Sequence, residues 1–278
     1  MKFFKYQALG NDYLIIEPSS LSEPVRPELI RRLCNRRFGI GADGVLIGPW
    51  LTSEGAYGLR IYNADGSECE KSGNGLRLFA RYLIDVGHAP EEGLSLYLFH
   101  LGETIEVDFL PVTKAIRVTL GNYSFGAMAL GVNTELPQLC DYRLELDHEI
   151  FTVSYVYLGN PHCVVWVNKP SAEFAQTWGP RISTCSLFPQ KANVQFASVQ
   201  DRSNMQIEIW ERGAGYTLAS GSSACAAAAV AYKAGLVDTT VTVQMPGGAM
   251  RVDLRANHTI ALTGPAELVY QAQVISDF

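Results

Sequence analysis

The sequence predicts an α+β protein of two pseudo-symmetric halves, each a curved, mainly antiparallel sheet wrapped around a central apolar helix. Two polar, glycine-rich turns, 63–75 and 211–223, each follow an alternating strand pattern and lead into an apolar helical pattern. Ser72 and Ser220, which occupy matching places in these turns, lie 148 positions apart. Short strand patterns such as the one over 103–109 dominate elsewhere. Together these features indicate an internal repeat.

The first matched pair of elements is a strand that starts at a Gly-Asn turn. Gly10-Asn11 precedes a β-rich run, and Gly159-Asn160 precedes another 149 positions later. Alternating patterns over 59–63 and 207–211 then end nine residues before the turn serines. Because both markers repeat at nearly the same spacing, we expect two halves of similar topology.

The second matched pair is a helix after each turn serine. The segments 73–87 and 221–235 are apolar, and each ends at a glycine in a favourable C-terminal cap position. The stretch Ala226–Ala229 is followed by no charge until Lys233, which predicts a helix that is buried on every side.

The repeat also predicts the domain boundaries. Residues 1–120 together with 265–278 should form the N-terminal half, and residues 121–264 the C-terminal half. The segment 132–149 is expected to be an irregular link. A ligand cleft is expected between the halves, since binding sites often lie at domain interfaces.

Composition limits the classes of partner. A net charge of -6 without a long basic run argues against nucleic acid and favours a small-molecule partner. The charged N-terminus is interrupted by Gly10 too early for a signal peptide, and no apolar stretch reaches 18 residues, so we expect no membrane association and a cytoplasmic protein. Six scattered cysteines without C-x-x-C pairs favour free thiols and predict no metal site.

Four residues stand out as chemical candidates. Ser72 and Ser220 open helices, whose N-termini bind anions through unpaired N–H groups. Serine is also a preferred helix cap, and the two roles are compatible. His162 is the candidate for titration near neutral pH, with a structural role as the alternative. Glu211 ends a strand, so it and Arg212 should point to opposite faces.

Seven ordered motifs resemble the diaminopimelate epimerase family of cofactor-independent amino-acid racemases and epimerases. They are LGND from Leu9, RRFGIGADGV from Arg36, NADGSE from Asn63, SGNGLRLFARY from Ser72, GNPHCV from Gly159, NVQF from Asn193 and ERGAG from Glu211. The resemblance implies two domains with an amino acid or related carboxylate in the cleft, and no pyridoxal phosphate or other cofactor. Strand edges on these halves could either be covered or pair between subunits, so the sequence leaves a monomer and a homodimer as alternatives.

The resemblance further implies roles for individual residues. In that family two cysteines, one per half, abstract and return the α-proton, and the matching positions here are Ser72 and Ser220. His162 and Glu211 resemble the pair that tunes the catalytic groups. The implied substrate-binding residues are Asn11, Asn63, Asn160, Asn193 and Arg212, with the amides of Gly73, Asn74, Gly221 and Ser222 for the reacting carboxylate. Lys71 and Tyr216 depart from the family pattern and are expected to affect specificity.

Serine is a poor substitute for cysteine as a base. A thiol has a pKa near 8.5 and an alcohol lies several units higher, so a gap of about five units costs about 7 kcal/mol. An adjacent base such as His162 would offset this for one serine. We favour an isomerase; a binding protein without chemistry, and a lyase, dehydratase or tautomerase on the same fold, are the alternatives.

Overall fold

The computed structural model describes residues 1–21, 23–127 and 131–274. Its contacts divide the chain into two compact units. Unit 1 runs from Met1 to Thr119 and resumes at Thr263, and unit 2 comprises Leu120–Leu262. Residues 275–278 of the predicted N-terminal half lie outside the described residues. Strands with a few helices build both units, so the predicted α+β class is confirmed.

Unit 1 is a sheet with two α-helices. In chain order its elements are β1 (Lys2–Ala8), β2 (Asn11–Ile16), a 3-10 turn (Pro18–Ser20), α1 (Pro27–Cys34), β3 (Gly44–Leu51), β4 (Tyr57–Asn63), α2 (Gly73–Asp85), β5 (Leu94–Leu98) and β6 (Glu103–Leu110). The next strand, β7 (Ala115–Asn122), carries the chain into unit 2.

Unit 2 repeats this arrangement. Its elements are β8 (Tyr142–Leu146), β9 (Glu149–Tyr157), β10 (Pro161–Trp166), α3 (Ala172–Ser183), β11 (Asn193–Asp201), β12 (Asn204–Glu211), β13 (Gly215–Thr217), α4 (Gly221–Lys233), β14 (Thr240–Met245) and β15 (Gly248–Leu254). The chain returns to unit 1 through β16 (Thr259–Gly264), and β17 (Glu267–Gln273) pairs antiparallel with β1. The expectation of an irregular link over 132–149 is wrong in part, because β8 lies within it.

The order of strand pairings is the same in both units. In unit 1, β1–β2 is antiparallel, β2–β3 parallel, β3–β4 antiparallel and β4–β5 parallel. In unit 2 the same series joins β9, β10, β11, β12 and β14. A helix separates the two members of every parallel pair, as a parallel crossover requires. The predicted repeat is therefore present in the strand pairing as well as in the sequence.

The register identifies equivalent residues. Tyr13 pairs with Gly44 across β2 and β3, and His162 pairs with Asn193 across β10 and β11. Gly44 in turn pairs with Asn63, whereas the pairing of Val194 with Trp210 brings Asn193 opposite Glu211. Tyr13 thus corresponds to His162, Gly44 to Asn193, and Asn63 to Glu211.

The two central helices, α2 and α4, are buried on nearly all sides. Ala226–Ala229 have no exposed surface, which confirms the prediction for this stretch. Gly87 and Gly235 follow the two helices with φ of 74° and 72°, a left-handed conformation that glycine adopts without strain. Both predicted glycine caps are confirmed.

Side-chain alternation along the strands of unit 2 decides which residues face α4. Cys163 of β10 and Trp210 of β12 pack with the hydrophobic cluster that includes Ile182 of α3. Successive residues of a strand point to opposite faces. His162 and Glu211 therefore lie on the face that α4 covers.

Unit 1 follows the same rule. Leu14 of β2 and Tyr62 of β4 pack with the cluster that includes Leu33 of α1. Their neighbours Tyr13 and Asn63 therefore lie on the face covered by α2. In both units, the polar strand residues are placed towards the N-terminus of the central helix.

Candidate active site

Ser72 is the N-cap residue of α2. Its extended backbone, with φ -129° and ψ 113°, directs the side chain back over the first turn, where Oγ accepts the N–H of Gly75 at 3.0 Å. The hydroxyl of Tyr13 lies 3.4 Å from the same Oγ. The N–H groups of Gly73 and Asn74 have no acceptor within the helix and are available to an anion. The predicted capping role of Ser72 is therefore confirmed.

Ser220 occupies the equivalent position of α4 but has different partners. It is buried and makes no side-chain hydrogen bond to the helix amides. Its hydroxyl donates to Glu211 Oε2 at 3.3 Å and lies 3.4 Å from Ser222 Oγ. The first N–H groups of α4, on Gly221 and Ser222, lack an acceptor within the helix as they do in α2.

A hydrogen-bonded chain orients Asn11 and Asn74. Asn11 Nδ2 donates to Asp43 Oδ2 at 2.9 Å, and Asn11 Oδ1 accepts from Asn74 Nδ2 at 2.9 Å. The fully buried Arg77 donates to Asn74 Oδ1 at 2.9 Å and to the carbonyl of Gly73 at 3.1 Å. The guanidinium thus places a positive charge close to the first turn of α2, where it favours binding of an anion.

An ionic cluster fixes the start of β2. Arg36 donates to both carboxylate oxygens of Asp12, at 3.1 and 2.6 Å, and to Asp43 at 2.6 Å. Lys5 lies 2.8 Å from Asp12. Burial alone would raise the pKa of Asp12, but the hydrogen bonds from Arg36 and Lys5 lower it to about 2. Asp12 is therefore ionised at neutral pH and holds the backbone next to Asn11.

Asn63 and Lys71 have partners in unit 1 outside α2. Asn63 Nδ2 donates to Ser67 Oγ at 3.0 Å, within the turn that follows β4. The ammonium group of Lys71 forms an ion pair with Glu103 at 2.7 Å, although Lys71 precedes Ser72 in the chain. An effect of Lys71 on specificity stays a prediction.

His162 is completely buried, and its Nε2 lies 2.7 Å from Asn160 Oδ1. Burial lowers the pKa of His162 to about 3; the Gln195 side chain opposes this shift and the charge of Arg212 adds to it. The ring is therefore neutral at pH 7, and the expectation that it titrates near neutrality is wrong. Since Ser220 bonds to Glu211 and not to His162, the expected activation of a serine by His162 is absent from this arrangement.

Asn193 connects two elements of unit 2. Its Oδ1 accepts the N–H of Arg212 at 3.1 Å, and its Nδ2 donates to the carbonyl of Pro161 at 3.2 Å. Asn193 is buried, whereas Arg212 is exposed at the end of β12. Asn193 thus fixes the backbone from which the Arg212 side chain extends.

Tyr216 lies on the other face of the sheet from Ser220. It pairs with Trp210 and packs with the cluster beneath α3, and its hydroxyl donates to Glu208 at 2.8 Å. Burial and, secondarily, the Glu208 carboxylate raise the pKa of Tyr216 to about 12. The structure does not bring Tyr216 to Ser220, and the predicted effect on specificity has no support in this geometry.

Sequence reasoning missed three residues near the site: Tyr13, Asp43 and Arg77. Tyr13 carried a detectable signal, since it follows Gly10 by three positions as His162 follows Gly159. Asp43 and Arg77 lie within the quoted motifs RRFGIGADGV and SGNGLRLFARY, but the motifs alone do not show that Asp43 contacts Asn11 or that Arg77 is buried against Asn74.

Neither a metal-binding cluster nor a membrane-spanning helix occurs among the described residues. No group of three or more His, Cys, Asp or Glu side chains there is arranged to hold a metal ion. No helix there combines the length and hydropathy that a bilayer crossing needs.

Comparison with known proteins identifies the family. The sequence profile described as diaminopimelate epimerase matches residues 3–126 and 154–269. The chain belongs to the diaminopimelate epimerase family. Among the family's members, diaminopimelate epimerase 2 of Nostoc sp. strain PCC 7120 is 44% identical over 100% of this chain and 96% of its own. The diaminopimelate epimerase of Halothermothrix orenii is 35% identical over 99% of this chain and 98% of its own. The protein is therefore an isomerase of the racemase and epimerase type.

Solved structures with low sequence identity share the fold of this diaminopimelate epimerase family member. A hydroxyproline epimerase from Agrobacterium vitis has a TM-score of 0.70 at 12% identity, over 99% of this chain and 92% of that one. A Bacillus anthracis phenazine biosynthesis protein of the PhzF family has a TM-score of 0.68 at 16% identity, over 99% of both chains.

Proposed function

We propose that this protein is a diaminopimelate epimerase-like isomerase that transfers a proton at the α-carbon of an amino acid or related carboxylate without a cofactor. Ser72 and Ser220 would act where the family resemblance places two cysteines. One observation carries the proposal: each unit sets a serine hydroxyl at the N-terminus of a buried helix, beside a polar side chain from the sheet.

The substrate class follows from the groups near the serines. The unpaired amides at the start of α2 and α4 suit a carboxylate. Arg77 adds positive charge near Gly73, and Arg212 exposes a second guanidinium. The full-length relatives are named for diaminopimelate, so this amino acid is the first substrate to test. The proposal requires both serines to act on one substrate molecule.

Glu211 gives one serine a route for its proton. Removing a proton from an alcohol is about 7 kcal/mol more costly than from a thiol when their pKa values differ by about five units. A helix N-terminus offsets at most about 2 kcal/mol of this. Because Ser220 already donates to Glu211, its proton can move to the carboxylate while Oγ takes a substrate proton.

A homodimer is part of the proposal. The strand β17 carries three exposed apolar side chains, Leu268, Val269 and Tyr270, which favour burial against another surface. Sedimentation equilibrium would give twice the monomer mass, and a single species of about 30.5 kDa at micromolar concentration would contradict the dimer.

Proton NMR in D₂O tests the function directly. The purified protein is incubated with L,L-diaminopimelate, with the meso form and with a panel of free amino acids, and loss of each α-proton signal is followed. We expect deuterium to enter the α-position of at least one compound. Interconversion of the stereoisomers should fall at least a hundredfold in Ser72→Ala and Ser220→Ala, since each variant removes one of the two proton-transferring groups.

Ser171→Ala is the matched control. Ser171 caps α3 by accepting the N–H of Phe174 at 3.2 Å. The variant therefore loses one helix cap, as Ser72→Ala does, but no group of the candidate site. It should exchange at the rate of the unsubstituted protein. Saturable binding of diaminopimelate without any exchange would contradict the isomerase and favour the binding protein, whereas release of water from a hydroxylated ligand would favour a lyase.

A further inference from the structure

The two serines occupy equivalent positions, but their hydroxyl groups have opposite hydrogen-bonding roles: Ser220 donates and Ser72 accepts. An ionised carboxylate only accepts hydrogen bonds, so the contact of Ser220 with Glu211 commits the Ser220 proton to Glu211. The lone pairs of Ser220 Oγ are then left for a ligand and for the Ser222 hydroxyl, which lies 3.4 Å away. Ser72 Oγ instead accepts the N–H of Gly75 and meets the hydroxyl of Tyr13.

Tyr13 is the better donor in its contact with Ser72. A phenol has a pKa of about 10, whereas an alcohol is close to the 15.7 of water, so the phenol gives up its proton more readily. With Tyr13 and Gly75 both donating to Ser72 Oγ, the Ser72 proton is directed to a third acceptor. In the proposed reaction, that acceptor is the substrate.

The backbone of β3 provides the room that Tyr13 needs. A Cβ atom on Gly44 would collide with the Tyr13 ring and with the carbonyl of Tyr62. Tyr13 is only 6% exposed, so its ring has a defined seat over this glycine. In unit 2, Asn193 stands in the equivalent position and pairs with the smaller ring of His162.

The next equivalent pair also differs. Glu211 reaches Ser220, whereas its counterpart Asn63 bonds to Ser67 within the turn. His162 in turn bonds to Asn160, whereas its counterpart Tyr13 reaches the serine. The sheet of each unit thus supplies its serine with one side-chain partner, from different positions and of opposite acid–base character.

We propose that Tyr13 is a positioning residue that makes Ser72 the proton-donating side of the site, while Glu211 makes Ser220 the proton-accepting side. This inference rests on the proposed function and deepens it, because it says which serine donates a proton and which accepts one before the reaction starts. Neither serine can replace the other.

The proposed proton transfers conserve both protons and charge. On one face of the substrate, the bond from the α-carbon to hydrogen breaks as its proton moves to Ser220 Oγ, and the Ser220 hydroxyl proton moves to Glu211. On the other face, the Ser72 hydroxyl proton forms the new bond to the α-carbon, and the Tyr13 proton moves to Ser72 Oγ. Glu211 gains the proton that Tyr13 loses, and exchange with water restores both.

Tyr13→Phe tests the role in catalysis. The variant keeps the ring over Gly44 and loses the hydroxyl. In D₂O, Ser220 and Glu211 should still exchange the α-proton of one stereoisomer, L,L- or meso-diaminopimelate, with retention of configuration. Inversion, which needs the donor side, should fall about tenfold or more. Tyr57→Phe is the matched control, because it removes a hydroxyl that bonds to the His88 carbonyl away from the site.

Reporter thiols test the same assignment without any substrate. Ser72→Cys and Ser220→Cys each introduce one thiol, whose alkylation by iodoacetamide is followed against pH by mass spectrometry. A donor that bonds to the thiolate lowers its pKa, and a neighbouring carboxylate raises it. Adding Tyr13→Phe to Ser72→Cys should therefore slow alkylation at pH 7 about tenfold. Adding Glu211→Gln to Ser220→Cys should accelerate it.

The outcomes separate this inference from the proposed function. A parallel loss of exchange and inversion in Tyr13→Phe would show a structural role and overturn the assignment of Tyr13. An alkylation rate at position 72 that is unchanged by Tyr13→Phe would overturn it too. Absence of exchange in the unsubstituted protein would overturn the proposed function, while the alkylation rates would still decide whether Tyr13 donates to position 72.

Discussion

The chemistry of this site depends on which atom each hydroxyl group faces. Ser72 and Ser220 are equivalent in the repeat, yet one meets a phenol and the other a carboxylate. A pair of alcohols can move protons only if its neighbours supply and remove them, because an isolated alcohol is too weak an acid. The two hydroxyl partners therefore carry as much of the proposed mechanism as the serines themselves.

Introducing thiols at both positions should accelerate the proposed reaction. In the double variant Ser72→Cys with Ser220→Cys, α-proton exchange with diaminopimelate should rise, by up to about 10⁵-fold if the full pKa gap limits the rate. NMR exchange rates measure this, with Ser171→Cys as the control. A double variant with an unchanged or lower rate would show that the surrounding residues, and not the acidity of the hydroxyl groups, limit the chemistry.

His162 should make folding stability depend on pH. The unfolded imidazole titrates near pH 6.5 and the folded one near pH 3, so the unfolded state binds more protons between these values. The stability contribution is fully present above pH 6.5 and is lost as the pH falls towards 3, at about 1.4 kcal/mol per pH unit.

Urea unfolding of the unsubstituted protein and of His162→Gln at pH 5 and pH 7.5 measures this contribution. The free energy of unfolding of the unsubstituted protein should fall by about 2 kcal/mol more than that of the variant between pH 7.5 and pH 5. Equal pH dependence in the two proteins would mean that protonation of His162 is not coupled to unfolding.

Sequence reasoning found most of these residues but not their contacts. The motifs placed Ser72 and Ser220 at helix N-termini, His162 beside a Gly-Asn turn and Glu211 at the end of a strand, and the structure has them in these places. Hydrogen bonding could not be predicted, because it depends on which side chain stands opposite on a neighbouring strand. Tyr216 illustrates this: it lies close to Ser220 in the sequence, but strand alternation places its side chain on the opposite face of the sheet, beneath α3.

At the scale of elements, β3 and β11 determine what fits beneath the central helices. Gly44 of β3 leaves space for a tyrosine ring, and Asn193 of β11 fills the equivalent space with a polar side chain. One residue on the middle strand thus determines the size of the ring on its neighbour.

Gly44→Ala should displace the Tyr13 ring. The added methyl group collides with the ring and with the Tyr62 carbonyl, and overpacking of this kind costs about 1–3 kcal/mol. Denaturant unfolding measures the loss, and inversion of diaminopimelate, which depends on Tyr13, should fall as well. Gly126→Ala is the control, since a Cβ there meets only Ser124 Oγ, at 3.6 Å. Equal stability of the two variants would contradict close packing of the Tyr13 ring against Gly44.

Elements with strong periodicity were predictable, and weaker ones were not. The glycines after α2 and α4 end both helices as expected, since glycine adopts without strain the left-handed conformation that often closes the last turn. The strand β8 was missed although Tyr142, Leu144 and Leu146 alternate, because the polar residues and Pro137 before it resemble a loop. Antiparallel pairing with β9 stabilises β8 as a strand, and the sequence of β8 alone does not indicate this partner.

At the scale of the whole chain, unit 1 is closed by its last strand. Lys2 to Gln7 of β1 pair with residues of β17, and Pro265 accepts a hydrogen bond from the buried Arg77. The C-terminal segment thus belongs to the fold of the first unit, although unit 2 separates the two in sequence.

A chain that ends at Gly264 should therefore lose stability in unit 1. Hydrogen exchange measured by mass spectrometry should show reduced protection of β1 and α2, while β9 to β12 keep theirs. Gln271→Ser, which changes an exposed side chain of the same strand and retains the backbone ladder, is the control. Equal loss of protection in both units would contradict separate cooperative units.

The matched register of the two units bears on how such a protein can arise. Two identical copies of the first unit would place a tyrosine beside each serine and no carboxylate beside either, so both sides would donate protons and neither would accept one. Two copies of the second unit would have the converse defect. If the two units descend from one duplicated half, the proposed proton relay requires that the copies have diverged at the positions of Tyr13, Gly44 and Asn63.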